Sequence, residues 1–171
     1  MAEQQTDSAS DLLTGQAEPV YGQDHRSHTL EIYKILVEMA DRVSARRQLV
    51  NSFFLALNSS LTALVGYTSL ASSDPDNPEF LMLLAFVGAI GAVLWLLMID
   101  SFNKLNDAKF KIILEVEQGL PIRPFYAERQ VYRQLRRRMF TAVEAGIPAL
   151  FIVIHIFVLS FAFIALVRDL A

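Results

Sequence analysis

Two ionisable residues, Glu144 and His155, stand in a stretch built mostly of Ala, Ile, Leu, Val and Phe. They lie close to three helical turns apart, so a helix carries both on one side, with Pro148 between them on that side. An ionisable group inside an apolar segment is a candidate for proton relay, cation passage or gating. The structural alternative pairs Glu144 with Arg137 or Arg138 and lets His155 hydrogen-bond across to Asn58 or a serine. A second apolar stretch carries Asn51, Asn58, Thr62 and Ser69 on one helical face, with Ser52, Ser59, Ala63 and Gly66 on a line beside it. In hydrocarbon an unpaired amide is costly, so this face must meet either another helix or water. The first outcome is interhelical packing and the second a water-lined path. Asn51, Asn58, Thr62, Glu144 and His155 are therefore candidate pore or interhelical polar residues.

The elements that must position these groups are set by hydropathy and charge. Three stretches, 49–71, 80–99 and 139–167, each supply the ~20 apolar residues needed to cross a hydrocarbon core of about 30 Å. Of the 15 Lys and Arg residues, all but Arg168 precede the first stretch or lie between the second and third. The positive-inside bias then places the N-terminus in the cytoplasm and the C-terminus outside, in a multi-pass protein of the cell inner membrane. With 53% hydrophobic residues and 19% charged ones, the chain reads as an all-α membrane protein whose charge sits outside the bilayer.

Residues 1–26 are acidic, rich in Gln, Ser and Thr, and read as a disordered cytoplasmic tail without the start of a cleaved secretory signal. Over 27–48, Leu30, Tyr33, Val37 and Ala40 recur at helical spacing, with Ser27 or Thr29 placed to cap the start. Nothing breaks this helix before the first span. Residues 72–79 form a short acidic outer loop holding Asp74, Asp76 and Glu79. Gly88 and Ala92, four apart in the second span, allow a neighbouring backbone to approach closely, and Trp95 is placed to anchor at the headgroups. The helical pattern continues beyond Ile99 into the segment 100–138, until Gly119, Pro121 and Pro124 interrupt it. Its apolar stripe is expected to pack on the helix before the first span. Arg133, Arg136, Arg137 and Arg138 then gather at the membrane surface as candidate ligands for anionic headgroups, or as ordinary topology determinants. Residues 168–171 form the outer C-terminus. Exposed charges of the cytoplasmic helices suggest pairing of Arg42 or Arg46 with Asp107 or Glu115.

Several classes of function find no residues here. There is no cysteine, hence no disulfide framework, thiolate zinc site or thiol nucleophile. Neither GxSxG, HExxH nor a phosphate-binding glycine loop occurs, and His25 and His28 have no third metal ligand nearby in sequence. Glu144 and His155 stand roughly 16 Å apart along one helix axis, too far to act as a catalytic pair. No enzyme activity, cofactor, metal or nucleic-acid partner is expected. The arginines come with no recognised nucleic-acid-binding fold.

Two blocks, YKxxVEMADRxSxRRQ from Tyr33 to Gln48 and LNxAKF from Leu105 to Phe110, carry a resemblance. Between Tyr33 and Tyr126 the chain resembles a family of small bacterial integral membrane proteins of largely unknown role. More loosely, its two spans flanked by cytoplasmic helices resemble SLATT-type membrane effectors. That second likeness implies a pore or disruptive effector released by an upstream signal, although this chain adds a third span. Homo-oligomerisation is expected, because three spans cannot bury so much apolar and polar helix surface by themselves. Two functions follow: a pore or channel-like effector gated by the cytoplasmic helices, or a scaffold that organises partner proteins or anionic lipid.

Overall fold

The computed structural model describes residues 13, 15, 18–71, 78–134 and 139–169. The acidic tail up to residue 12, the loop segment 72–77 with Asp74 and Asp76, and Arg136, Arg137 and Arg138 lie outside the described residues. Every element among the described residues is helical: α1 (Glu18–Tyr21), α2 (His25–Ala71), α3 (Pro78–Val116), a 3-10 turn (Glu117–Gly119), α4 (Pro124–Gln134) and α5 (Met139–Asp169). Three of these, α2, α3 and α5, are long and apolar enough to cross a membrane. The chain divides into two compact units, one made of Met1–Ala45 with Phe102–Arg137 and the other of Arg46–Ser101 with Arg138–Ala171.

Helix α2 begins at His25, ahead of the Ser27 or Thr29 cap expected from sequence. Gly22, at φ 97, turns the chain after α1, and the His25 amide reaches back to the Gly22 carbonyl. Ser27 Oγ and Thr29 Oγ1 each donate to a carbonyl of the preceding turn instead of accepting from the amides ahead. At the far end of α3, Leu120 is extended and Pro124 occupies the first turn of α4, where its missing N–H costs nothing.

In the second unit the burial pattern explains how three helices associate. Along α3 a buried seam of Leu81, Ala85, Gly88, Ala92, Trp95 and Ile99 runs at alternating steps of four and three, with Gly91 buried beside it. Helix α5 repeats the rhythm with Pro148, His155 and Ala162 buried and Glu144, Phe151 and Val158 partly so. Helix α2 answers with Asn58 and Val65, flanked by Asn51 and Phe54. A three-four repeat keeps one seam of a helix facing its partners along its whole length. The seam is layered: Val65, Leu81 and Ala162 form an apolar tier, and the tiers described below contain the polar groups. Helix α5 runs through Pro148 without interruption.

Only 11%, 33% and 11% of the most apolar windows of the three helices are buried within one chain. Large side chains such as Phe53, Phe86, Leu150 and Phe157 stay exposed. That much apolar surface suits lipid and neighbouring copies as its solvent, and would not suit water.

Candidate functional site

The first polar tier of the second unit joins all three of its helices. Glu144 of α5 takes both prongs of Arg47 from α2: Nε donates to Oε1 at 2.8 Å, and Nη2 donates to Oε2. Asn51, one turn along α2, donates from Nδ2 to the same Oε1 at 2.6 Å. The Trp95 indole of α3 donates to Asn51 Oδ1 at 2.8 Å. The Asn51 amide is thus oriented from both ends, by a carboxylate on one side and an indole N–H on the other. Fork-to-carboxylate pairing is the strongest geometry open to an arginine, and each later bond in the chain fixes the one before it. The Arg47 and Glu144 side chains are 24% and 21% exposed.

Among the described residues Glu144 is held by Arg47, 97 positions away; the expected partners Arg137 and Arg138 lie outside the described residues. Trp95 is buried on the α3 seam, where its N–H finds an acceptor in Asn51.

Next along the seam is an aromatic tier. Phe54 stacks on Trp95 with ring centroids 6.1 Å apart, Trp95 meets Phe151 at 6.4 Å, and Phe151 stacks on His155 at 6.4 Å. Beyond it lies a second polar tier. His155 and Asn58 are completely buried. A Cβ at Gly88 would overlap the His155 imidazole, and one at Gly91, a single turn further along α3, would touch the Asn58 amide. Gly88 is therefore the notch that admits the ring, which gives a physical reason for a small residue there. Asn58 Nδ2 donates to the Phe54 carbonyl at 3.0 Å, while Asn58 Oδ1, Thr62 Oγ1 and both His155 ring nitrogens have no hydrogen-bond partner among the described residues. The expected bond between His155 and Asn58 is not formed.

The first unit has its own buried carboxylate. Glu117 is completely buried in the 3-10 turn and accepts from the Tyr33 hydroxyl at 2.8 Å, the Phe125 amide at 2.9 Å and the Tyr126 amide at 3.0 Å. It thereby fills the orphan donors at the start of α4, where helix polarity favours negative charge, and ties that start to α2. Tyr33 and Phe110 both meet the Phe125 ring edge-on, and the Arg123 guanidinium lies 4.4 Å from the centre of the Tyr126 ring. Arg42 pairs with Glu38 on its own helix at 2.7 Å, not with the opposing helix.

Tyr33 lies well before the apolar stretch that starts near Leu49, and its hydroxyl is pushed up to about 12, first by burial and then by the bond to Glu117 and its charge. A folded-state value above the unfolded one stabilises fully below pH ~10 and is lost as the pH rises through ~12. Replacing Tyr33 by Phe should remove that slope and cost about 2 kcal/mol, the worth of a hydrogen bond to a charged acceptor. Helicity followed against denaturant at pH 9 and at pH 11.5 would check it. The wild type should weaken between the two, and the variant should weaken less.

Of the residues marked by sequence, Asn51 and Glu144 meet directly, whereas Asn58 and His155 each face a glycine of α3. Thr62 is half-buried and Ala92 is completely buried on the α3 seam. Arg133 is exposed at the end of α4. Arg47, Trp95 and Glu117 were not singled out as site residues from sequence. Arg47 shares a helical face with Asn51 and Asn58, which was the available signal. Among the described residues no three His, Asp or Glu side chains gather as a metal would need.

No curated protein and no solved structure matches the chain. One family model does match, over residues 30–164, and that span takes in the polar tiers of the second unit as well as the Glu117 cluster of the first. The chain belongs to the octameric membrane protein family (8xMP).

Proposed function

We propose that this chain is the protomer of a noncatalytic, octameric assembly in a bacterial inner membrane, with its first unit in the cytoplasm, and that the assembly serves as a scaffold for partner proteins or anionic headgroups. The family name supports eight copies. The distribution of Lys and Arg supports the orientation. One observation carries the scaffold over the pore. Asn58 and His155 are completely buried within a single chain, and Glu144 is engaged by Arg47 and Asn51, so these polar groups serve the interior of the protomer and are not available to line a path between copies. What the spans offer outward is bulky apolar surface together with the small residues Ser52, Ala56, Ser59 and Ala63.

A second reading keeps one specific observation on its side. Unpaired polar atoms on Asn58, Thr62 and His155, level with the middle of the spans, favour a hydrated path inside each protomer, gated by the cytoplasmic helices. Native mass measurement and planar-bilayer recording on the same preparation separate the two. The scaffold predicts eight copies and no current above background. A steady current that Asn58→Leu alters, with the copy number unchanged, would replace the scaffold by the pore.

A further inference from the structure

Within the first unit, α2 has three faces. One packs on its own unit through Val43, which is buried. A second carries Ile32, Ile35 and Met39, 53%, 54% and 44% exposed, on a ridge that its own unit leaves uncovered. The third opens into an apolar cavity of about 520 Å³ floored by Tyr33, Val37, Phe110 and Phe125, with Lys34 and Asp41 among the charges that line it. At 100° per residue, ridge and cavity lie roughly 140–180° apart around the helix. They also lie level along it, since residues 32–39 and 33–44 overlap.

We propose that the occupant of this cavity is the ridge of a second copy, repeated head to tail around the ring. The inference rests on the octameric reading and specifies which surface builds the octamer. A contact between two different faces closes into a ring, whereas a face that binds its own twin stops at a dimer. A ring also requires the two faces to be level along the helix, as they are. Charges agree: Glu31 and Arg42 lie beside the ridge, level with Lys34 and with the acidic pair Glu38 and Asp41 at the cavity. The Arg42 pair with Glu38 is exposed on both sides and holds its arginine only weakly. In the second unit, α2 repeats the scheme, with bulky Phe53 and Leu64 exposed on one face and small Ser52, Ala56, Ser59 and Ala63 exposed on another. Small residues are what let a neighbouring span approach closely.

Because the chain has no cysteine, disulfide trapping reads this contact directly. Lys34→Cys with Met39→Cys puts one thiol at the cavity and one on the ridge, too far apart on a single helix to pair within a chain. Oxidation in native membranes should give a ladder of linked chains reaching eight, and Met39→Cys alone should give none. A dimer from Met39→Cys alone, or no ladder from the double variant while the wild type still weighs as eight copies, would overturn the ridge-and-cavity contact. A wild type that is not octameric would overturn the octameric reading itself. As a second arm, Ile35→Glu should release the octamer to smaller species while Trp95 fluorescence and helicity stay at wild-type values. An octamer that survives Ile35→Glu argues against the contact.

Discussion

Replacing Glu144 by Ala should destabilise the three-helix unit by about 3 kcal/mol, the lower end of the cost of removing one partner from a buried ion pair, because the two side chains are 24% and 21% exposed. The loss exceeds that of a salt bridge at a water surface, because Arg47 would keep its charge with no acceptor and Asn51 would lose its own. Glu144→Gln should fall between, since it leaves an oxygen for Asn51 but no charge for Arg47. The instructive variant is the double replacement of Arg47 and Glu144 by Met. Removing both charges together should recover most of the loss, or even exceed wild-type stability, because the desolvation cost disappears along with the attraction. Thermal unfolding in detergent, read through Trp95, measures all three. If Glu144→Ala melts like the wild type, the network contributes nothing and the pairing is a surface contact.

Gly88→Ala should cost about 3 kcal/mol, the upper part of the range for overpacking a filled core. The added methyl overlaps the His155 imidazole, and that ring cannot swing clear because it is completely buried and stacked on Phe151. A flexible lysine at the surface would simply move aside. On a His155→Ala background the overlap is gone, so Gly88→Ala should become nearly neutral there, giving a coupling of similar size in a double-mutant cycle. Thermal unfolding of the four proteins supplies the cycle. Equal costs on both backgrounds would mean that Gly88 is not the notch for His155.

The helices were legible because they depend on local pattern. The lack of any helix breaker between the first cytoplasmic helix and the span that starts at Leu49 announced a single helix there, and α2 spans His25–Ala71. The break at Gly119, Pro121 and Pro124 marked the end of α3, and the small residues at Gly88 and Ala92 marked a face of close approach. Partners were less legible, because sequence separation hides them. Only the face it shares with Asn51 and Asn58 sets Arg47 apart from Arg46, and nothing local says that its partner is Glu144, 97 positions away. Trp95 lies near the end of an apolar stretch, where a headgroup anchor is the common solution, and only the acceptor on Asn51 makes burial affordable. Glu117 stands with Asn103, Asn106 and Lys109 among the polar residues that could answer the opposing helix, and nothing local says which of them is buried. The start of α4 at Pro124, with bare amides needing an acceptor, was the clue to the role of Glu117. His155 was visible as an intramembrane imidazole, but its fit against Gly88 required the register of α3 against α5.

Sealing of Asn58 and His155 inside each protomer decides between the scaffold and the pore. Thiol accessibility in the assembled complex tests it most directly, in lipid vesicles and on a chain that starts without cysteine. Asn58→Cys should resist a charged, water-soluble methanethiosulfonate reagent that rapidly modifies Arg133→Cys at the exposed end of α4. Rapid modification of Asn58→Cys from the water would contradict the account, since it would place the second polar tier on an aqueous path.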